Sequence, residues 1–434
     1  MTIYVVQQGD TIQSIAKVHG ISVARLMLDN GLLSVSKLAI GQTLVIAHPE
    51  KTYTVQKGDT LSGIAATNEI SIDQLLRNNP YLSEREYIYP GETMVISYGN
   101  KNKKKLSTNG YAYPFIDRAT LKKTLPFLTY LTVFNYRVTK DGIVVSITEE
   151  DTEIIQMAKE YGVAPIMLVS TLSGLGKTNE EAAFSILYNE NLQDTYITYM
   201  VKILKEKGYY GINVSFDYLD TDNEQLYNKF LSKVTNRINA EGYQVFVTIN
   251  ARNQYIEKVL LYRHTSYFSV GHVADSVMIL SYNWGYTLEP PTAPISADAG
   301  RELMKIITIP SEKLNIGVAV IGYDWELPYV NGISRAISLT FDAIIQLAAE
   351  ENAVIQFHEP SQSPFFEYID DTTGVNISHI VWFKDARSIN AYVNTVTEFN
   401  MQGIGIWNIM KFFAQFWMVI NTQYEIEKIT IDVV

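Results

Sequence analysis

The sequence predicts an α/β protein: a (β/α)8 barrel with a small α+β insertion between its seventh and eighth strands, preceded by two small βααβ modules. Three observations predict it. The first hundred residues carry one motif written twice. The rest alternates eight short apolar runs with amphipathic stretches. One segment, between the seventh and eighth runs, breaks that rhythm.

Copy one opens Tyr4-Val5-Val6-Gln7-Gln8-Gly9-Asp10-Thr11-Ile12, and copy two opens Tyr53-Thr54-Val55-Gln56-Lys57-Gly58-Asp59-Thr60-Leu61. Each passes through Ile15-Ala16 or Ile64-Ala65 to Asn30 or Asn79. Each closes with Gly41-Gln42-Thr43-Leu44-Val45-Ile46 or Gly91-Glu92-Thr93-Met94-Val95-Ile96. The offset is constant from Gly9/Gly58 to Asn30/Asn79 and slips by one residue before Gly41/Gly91. Tyr4–Gln7 alternates as a short strand does. Gly9-Asp10-Thr11 supplies a turn and a helix N-cap. Ile12, Ile15 and Ala16, like Leu61, Ile64 and Ala65, fall on one helical face. Ser22 and Ser71 cap a second helix that carries Leu26 or Leu75 inward, and the closing apolar run is a return strand. The modules span 2–48 and 51–97. Residues 98–108, rich in lysine, form a linker expected to be a solvated hinge.

Beyond it, residues 109–434 form the barrel. The expected strands are Gly110–Phe115, Phe127–Asn135, Pro165–Ser170, Gly211–Asp217, Gln244–Asn250, Ser276–Asn283, Asn315–Gly322 and Gly403–Trp407. Runs such as Phe127–Val133 suit strands covered on both faces. Amphipathic stretches such as Asp151–Tyr161, Asp194–Lys207 and Asn223–Asn239 alternate with them, as in a TIM barrel, whose chemistry sits at the carboxyl ends of the strands. The insertion is expected at about 355–384, where Phe366–Ile369 and Ile380–Phe383 flank Thr372-Thr373-Gly374.

Net charge is −11 and the pI is near 5.2, which argues against nucleic acid or anionic lipid as the main partner. Cysteine is absent, which excludes disulfides, thiolate nucleophiles and thiolate metal sites. No run is apolar over a bilayer's width and no classical secretion signal opens the chain. The six histidines show no metal-ligand spacing, and no metal or cofactor is expected. Thr171–Thr178 nearly matches a P-loop, but its first glycine is Thr171 and a barrel is the wrong context. The chain is expected to be a monomer.

The Tyr-x-Val-x-x-Gly-Asp-Thr opening, the central Asn and the closing Gly-x-x-Leu/Met-x-Ile resemble the LysM module over residues 2–97. The resemblance implies binding of N-acetylglucosamine-containing polymers, peptidoglycan or chitin, beside the Gly-Asp-Thr turn. It places Gly9, Asp10, Thr11 and Asn30, with Gly58, Asp59, Thr60 and Asn79, near the sugar. Asp-Thr is also a helix cap, so these types suit the fold alone as well.

At the strand ends, Asn213, Ser215 and Asp217 share the inward face by period two. Tyr282-Asn283-Trp284-Gly285 ends the sixth strand, Gly322-Tyr323-Asp324-Trp325 the seventh, and Trp407 the eighth. With Val381–Ser388 and Gln402–Trp407, this set is similar to glycoside hydrolase family 18, in its LysM-bearing spore branch of cortex-fragment lytic N-acetylglucosaminidases. The resemblance spans roughly residues 106–425. It implies substrate-assisted attack by the N-acetyl oxygen, with a glutamic acid as general acid and an adjacent Asp orienting the acetamide. Here Asp217 stands at the Glu position, Ser215 at the Asp position, and Asn283 where the family has a second acid. Tyr282, which would hydrogen-bond the acetamide, and Trp407, the floor beneath the sugar, match. Asn213, Trp284, Asp324 and Trp325 are expected to line the cleft.

The departures carry a physical cost. Asp is one methylene shorter than Glu, a retraction of about 1.5 Å, and a misplacement of about 1 Å costs on the order of 10²-fold. Ser215 brings no charge to a developing oxazolinium, a term worth about 3 kcal/mol. Losing a neighbouring carboxylate also removes the repulsion that keeps an acid protonated. Asp324, Asp220 and Glu289 are the nearest substitutes by topology. Two functions remain open: a wall-glycan binding protein on a degenerate barrel, or an active N-acetylglucosaminidase acting on cortex fragments. The family resemblance implies deposition at the spore coat, cortex or cell wall.

Overall fold

The computed structural model describes residues 1–32, 37–85, 87–99, 103–148, 150–171, 179–215, 224–250, 253–256, 259–262, 268–280, 291, 301, 304, 308–372 and 374–430. Eight strands form the barrel: Lys104–Ala112 (β1), Tyr130–Val138 (β2), Ala164–Ser170 (β3), Gly211–Ser215 (β4), Gln244–Asn250 (β5), Ser276–Leu280 (β6), Leu314–Ala319 (β7) and Gly403–Trp407 (β8). Each pairs in parallel with the next, and β8 returns to β1 with Gly403 opposite Ser107, closing the sheet. Every expected strand is present. Strand β3 is buried at every residue, because one face fills the barrel and the other lies under helices. Thr152–Glu160, for example, turns Ile154, Ile155, Met157 and Ala158 inward. Among the described residues no helix is long and apolar enough to cross a membrane.

Several strand ends differ from the sequence reading by a few residues, Tyr130–Val138 against Phe127–Asn135 for one, and two differences move the limits of the linker and of the insertion. Strand β1 begins at Lys104, inside the expected linker: Leu106 is buried, and Lys104–Leu106 pair with Tyr424–Ile426. The insertion begins at Gly322 rather than near 355. Gly322–Leu327 leaves the barrel and joins a five-stranded antiparallel sheet with Ile337–Leu339, Ile377–Trp382, Ser363–Asp370 and Gln356–His358. Gly322 opens that strand in tight packing, where a Cβ would stand 2.3 Å from Ile344 and 2.8 Å from Phe383. The antiparallel pair expected around Thr372-Thr373-Gly374 is present, with Phe366 opposite Val381; Thr373 itself lies outside the described residues.

Both modules have the expected order. Thr2–Val5 pairs with Thr43–Ile46, and Lys51–Thr54 with Thr93–Ser97. Helices Ile12–Val18 and Leu61–Thr67 are capped by Thr11 and Thr60, and helices Val23–Asn30 and Ile72–Asn78 by Ser22 and Ser71. Ile12, Ile15, Ala16 and Leu26 form the first module's core, and Ile64, Ala65 and Leu75 belong to the second's.

The modules do not hang from a hinge. Strand Thr43–Ile46 is buried along its whole length. Leu44 and Ile46 enter the core of module one, while Val45, with Ala39 and Ala47, enters the core of the barrel. Gly41, at φ +85°, lets the chain approach the Ile355 carbonyl; a Cβ would sit 2.0 Å from its oxygen. The Gln415 amide donates to Thr43 O at 2.6 Å, and the Asn421 amide donates to Asn78 Oδ1 at 2.9 Å. Module two is held by Arg77, which donates to Pro126 O at 2.9 Å, and by the Lys428–Asp73 and Lys123–Glu84 ion pairs. Lys103, expected in a solvated hinge, donates to Asn421 O at 2.5 Å. Burial of Val45, Ala39 and Ala47 in the barrel core adds apolar contact to these polar ones.

The insertion is anchored to the barrel at Lys384. This amine is buried, donates to Ser363 Oγ at 2.8 Å and lies 5.4 Å from the centre of the Tyr392 ring. Burial lowers its pKa from 10.5 to about 7, with Asp385 opposing the shift. Between those values the folded chain holds the amine neutral while the unfolded chain protonates it. Stability contributed at this position therefore rises with pH from about 7 to 10.5, by at most about 1.4 kcal/mol per pH unit. Lys384→Met removes that slope. Thermal midpoints of wild type and variant across the window check it: wild type gains on the variant as pH rises.

Candidate functional site

Parallel pairing brings inward-facing residues of neighbouring strands to common levels. Leu168 pairs with Asn213, Asn213 with Phe246, and one level higher Ser170 pairs with Ser215 and Ser215 with Thr248. Trp407 stands opposite Tyr111. The carboxyl ends of the strands are thus lined by an aromatic cluster of Tyr111, Phe134 and Trp407 with Leu168, Met278 and Leu280, and Tyr113, Ala319 and Ile321 pack against it. The ring of Trp407 meets those of Tyr111, Tyr113 and Phe134 edge-on at 6.1, 5.8 and 5.7 Å. Its neighbours hold the indole in one orientation at the mouth of the barrel. Tyr113 also stacks on Phe115 at 5.2 Å, and Phe115 is 68% exposed. Sequence reasoning misses Tyr111, Tyr113 and Phe134. The signal is available in the alternation Tyr111-Ala112-Tyr113 at the end of β1.

Asn213 lies below this floor. It is fully buried, its amide donates to Tyr111 Oη at 3.1 Å, and its carbonyl accepts from Thr248 Oγ1 at 2.9 Å. It supports the layer beneath the mouth rather than the sugar surface. Burial pushes the Tyr111 hydroxyl up to about 12, against the hydrogen bonds from Thr248 and Asn213, so the phenol stays protonated and able to donate. Ser215 ends β4 at 7% exposure. The inward positions of β3, β4 and β5 at this one level are therefore Ser170, Ser215 and Thr248, three hydroxyls.

Asp324 and Trp325 do not reach the mouth. Both belong to the insertion sheet. The Asp324 carboxylate accepts from Tyr368 Oη at 2.7 Å and contacts His379 Nδ1 at 3.0 Å. Trp325 is fully buried among Trp382, Ala336, Tyr323 and Phe365. Alternation within Gly322–Leu327 fits a barrel strand end and an antiparallel strand equally well, which is why the sequence alone points them to the cleft. Asp217, Tyr282, Asn283 and Trp284 lie outside the described residues, as do Asp220, Glu289 and residues 172–178 of the near-P-loop. Of the three substitute acids, Asp324 is thus already engaged elsewhere.

In the modules, Gly9 and Gly58 take positive φ, +88° and +93°, and the Gly-Asp-Thr turns lie at the surface. Their side chains are largely engaged in holding the turn. Asp10 Oδ2 accepts from Tyr4 Oη and Gln7 N, both at 2.7 Å. Asp59 Oδ2 accepts from Tyr53 Oη at 2.9 Å and Gln56 N at 2.7 Å. These bonds raise both tyrosine pKa values. Thr11 and Thr60 accept from Ser14 N and Gly63 N at 3.0 Å.

Asn30 and Asn79 are not at the surface. Asn79 is fully buried; its amide donates to Leu75 O and Val95 O at 2.9 and 2.7 Å, and its carbonyl accepts from Val95 N at 2.8 Å. Asn30 makes the same three bonds to Leu26 O and to both main-chain groups of Val45. Each asparagine ties the second helix to the return strand, a role that demands both a donor and an acceptor on one short side chain. Asn79→Ala leaves three buried main-chain groups without that partner, a loss of about 2 kcal/mol or more. Amide exchange at Val95 and its strand neighbours is expected to quicken by about 30-fold. Unchanged exchange with lost glycan binding would instead assign Asn79 to the sugar surface.

The family profile described as glycosyl hydrolases family 18 matches residues 96–411, and the LysM domain profile matches 4–47 and 53–97. The cortical fragment-lytic enzyme of Bacillus subtilis (strain 168) is 30% identical over 99% of this chain and 100% of its own length. That of Bacillus anthracis is 29% identical over 98% and 99%. Among solved structures, the spore cortex-lytic enzyme SleL of Bacillus megaterium QM B1551 superposes with a TM-score of 0.79 at 30% identity, covering 99% of both chains. SleL of Bacillus cereus gives 0.78 at 27%, covering 98% of this chain and 99% of its own. The chain belongs to glycosyl hydrolase family 18, in the branch that carries two LysM modules ahead of the barrel.

Proposed function

We propose that this chain binds N-acetylglucosamine-containing cell-wall glycan, peptidoglycan or spore cortex, through its LysM modules and the aromatic mouth of its barrel, with hydrolysis severely impaired. What supports this reading is Ser215, a hydroxyl in the strand Gly211–Ser215 at the position where the family resemblance implies an acetamide-orienting carboxylate. Trp407 and its ring neighbours supply what binding needs, a flat apolar face for the C–H side of a sugar ring. Ser170, Ser215 and Thr248 supply hydroxyl partners but no charge for an oxazolinium. The relatives named for cortex lysis support action at the spore cortex or cell wall.

A second reading is favoured by whole-length similarity to enzymes named for cortical fragment lysis: a retaining N-acetylglucosaminidase. In that case Asp217 protonates the leaving oxygen and Tyr282 holds the acetamide, whose carbonyl oxygen attacks the anomeric carbon with inversion. Water then opens the oxazolinium with a second inversion, giving net retention.

A single triple variant separates the two. Ser215→Asp, Asp217→Glu and Asn283→Asp are introduced together, and reducing ends released from cortex muropeptides are measured beside retention on insoluble peptidoglycan. Binding by both chains, with turnover at least about 100-fold higher in the triple variant, is expected. Rapid turnover by the unaltered chain would establish the hydrolase reading instead.

A further inference from the structure

Three cavities follow one another from the barrel mouth to module one. The first, of about 160 Å³, lies between Val320–Ile321, just past β7, and Asn408 and Met410, just past β8. Ile321 packs against the Trp407 cluster, so this cavity adjoins the aromatic floor. The second, of about 220 Å³, lies between Phe412 and Phe413 of the barrel and Met27–Leu32 of module one. The third, of about 540 Å³, lies between Gly31, Leu32 and Leu38 of module one and the helix Phe341–Glu350. Asp342 lines all three.

We propose that these cavities form one groove that holds an extended N-acetylglucosamine-containing glycan strand, running from Trp407 past Asp342 to the Gly31 turn. The proposal rests on the reading that mouth and modules bind such glycan. Its lining has the two chemistries that sugar recognition needs. Phe341 and Phe413, buried and stacked at 4.4 Å, back the groove, and the half-buried Phe412, with Lys123 4.8 Å from its ring centre, offers its apolar surface. Asp342 is exposed and, among the described residues, has no hydrogen bond or ion pair. A carboxylate so placed accepts from two sugar hydroxyls at once. Lys411 lines the same stretch and donates where Asp342 accepts. The walls are held apart at a set distance because module one is seated on the barrel core through Val45 and Gly41. A groove with fixed walls loses little ordering free energy when filled. Ligand pockets of this combined size class, about 300–1,000 Å³, take several rings.

The test is calorimetric titration of the full chain with chitin oligosaccharides from disaccharide to octasaccharide, beside Asp342→Ala and Phe412→Ala. Affinity of the unaltered chain should climb beyond the tetrasaccharide. Each variant should lose about tenfold for the octasaccharide and nothing for the disaccharide, whose binding also reports a folded mouth. Flat affinity across lengths with short oligomers still bound, or octasaccharide binding unaffected by either variant, overturns the groove and leaves the glycan reading standing. Equal weakening of short and long ligands also overturns it. Absence of binding at every length overturns both.

Discussion

Strand Thr43–Ile46 is shared by two hydrophobic cores, and much of the arrangement depends on that sharing. Period-two alternation sends Leu44 and Ile46 into module one, and Val45 with the flanking Ala39 and Ala47 into the barrel. A buried valine alone is worth about 1.5–3 kcal/mol, so separation of the two bodies would expose apolar surface on both. Asn30 makes this possible. By bonding both main-chain groups of Val45, it satisfies polar groups that a strand buried on both sides could not offer to water. The asparagine at the centre of the motif thus positions the surface through which the module is mounted.

That mounting alters how two binding elements on one chain combine. Tethered modules gain from an effective concentration set by linker length. Docked modules have no such latitude: a glycan segment that meets the mouth and a module together must match the fixed separation between them. On the proposed reading, the arrangement would favour polymer of the right length and path over any polymer rich in the right sugar. Arg77 extends the same logic to module two. It is buried, which lowers its pKa to about 10, and it donates to the Pro126 carbonyl, a hydrogen bond that opening of the seam would exchange for one to water.

The eight barrel strands and both modules are legible in the sequence because each is a local pattern: apolar runs of strand length, a repeated cap, a helical stripe. What is not legible is where faces of two local patterns meet. Nothing local distinguishes Val45, buried by the barrel, from a valine on an exposed strand face. Lys103–Lys105 reads as a solvated hinge because charge runs usually are, yet Lys104 already pairs within the barrel sheet. Asp324 and Trp325 mislead for the same reason. Their alternation is genuine, but Gly322–Leu327 pairs with Ile377–Trp382 in the insertion sheet rather than with a barrel strand. Asn30 and Asn79 match the motif by type, and a motif specifies a residue without saying which way it points.

The catalytic question turns on a difference between kinds of interaction. Binding a sugar ring uses surface that is present in the ground state, and the rings around Trp407 retain it. Catalysis needs interactions that strengthen as charge develops. The level that would deliver them carries Ser170, Ser215 and Thr248, whose dipoles are small beside a carboxylate. Loss of one carboxylate also weakens the case for the next, because the repulsion that kept the acid protonated disappears with its neighbour. On the proposed reading, a barrel altered in this way would keep affinity while losing rate, since the replaced groups would act mainly on the transition state. On the same reading the docked modules would not compensate for such a loss, because ground-state contacts far from the anomeric carbon deepen binding without lowering the barrier.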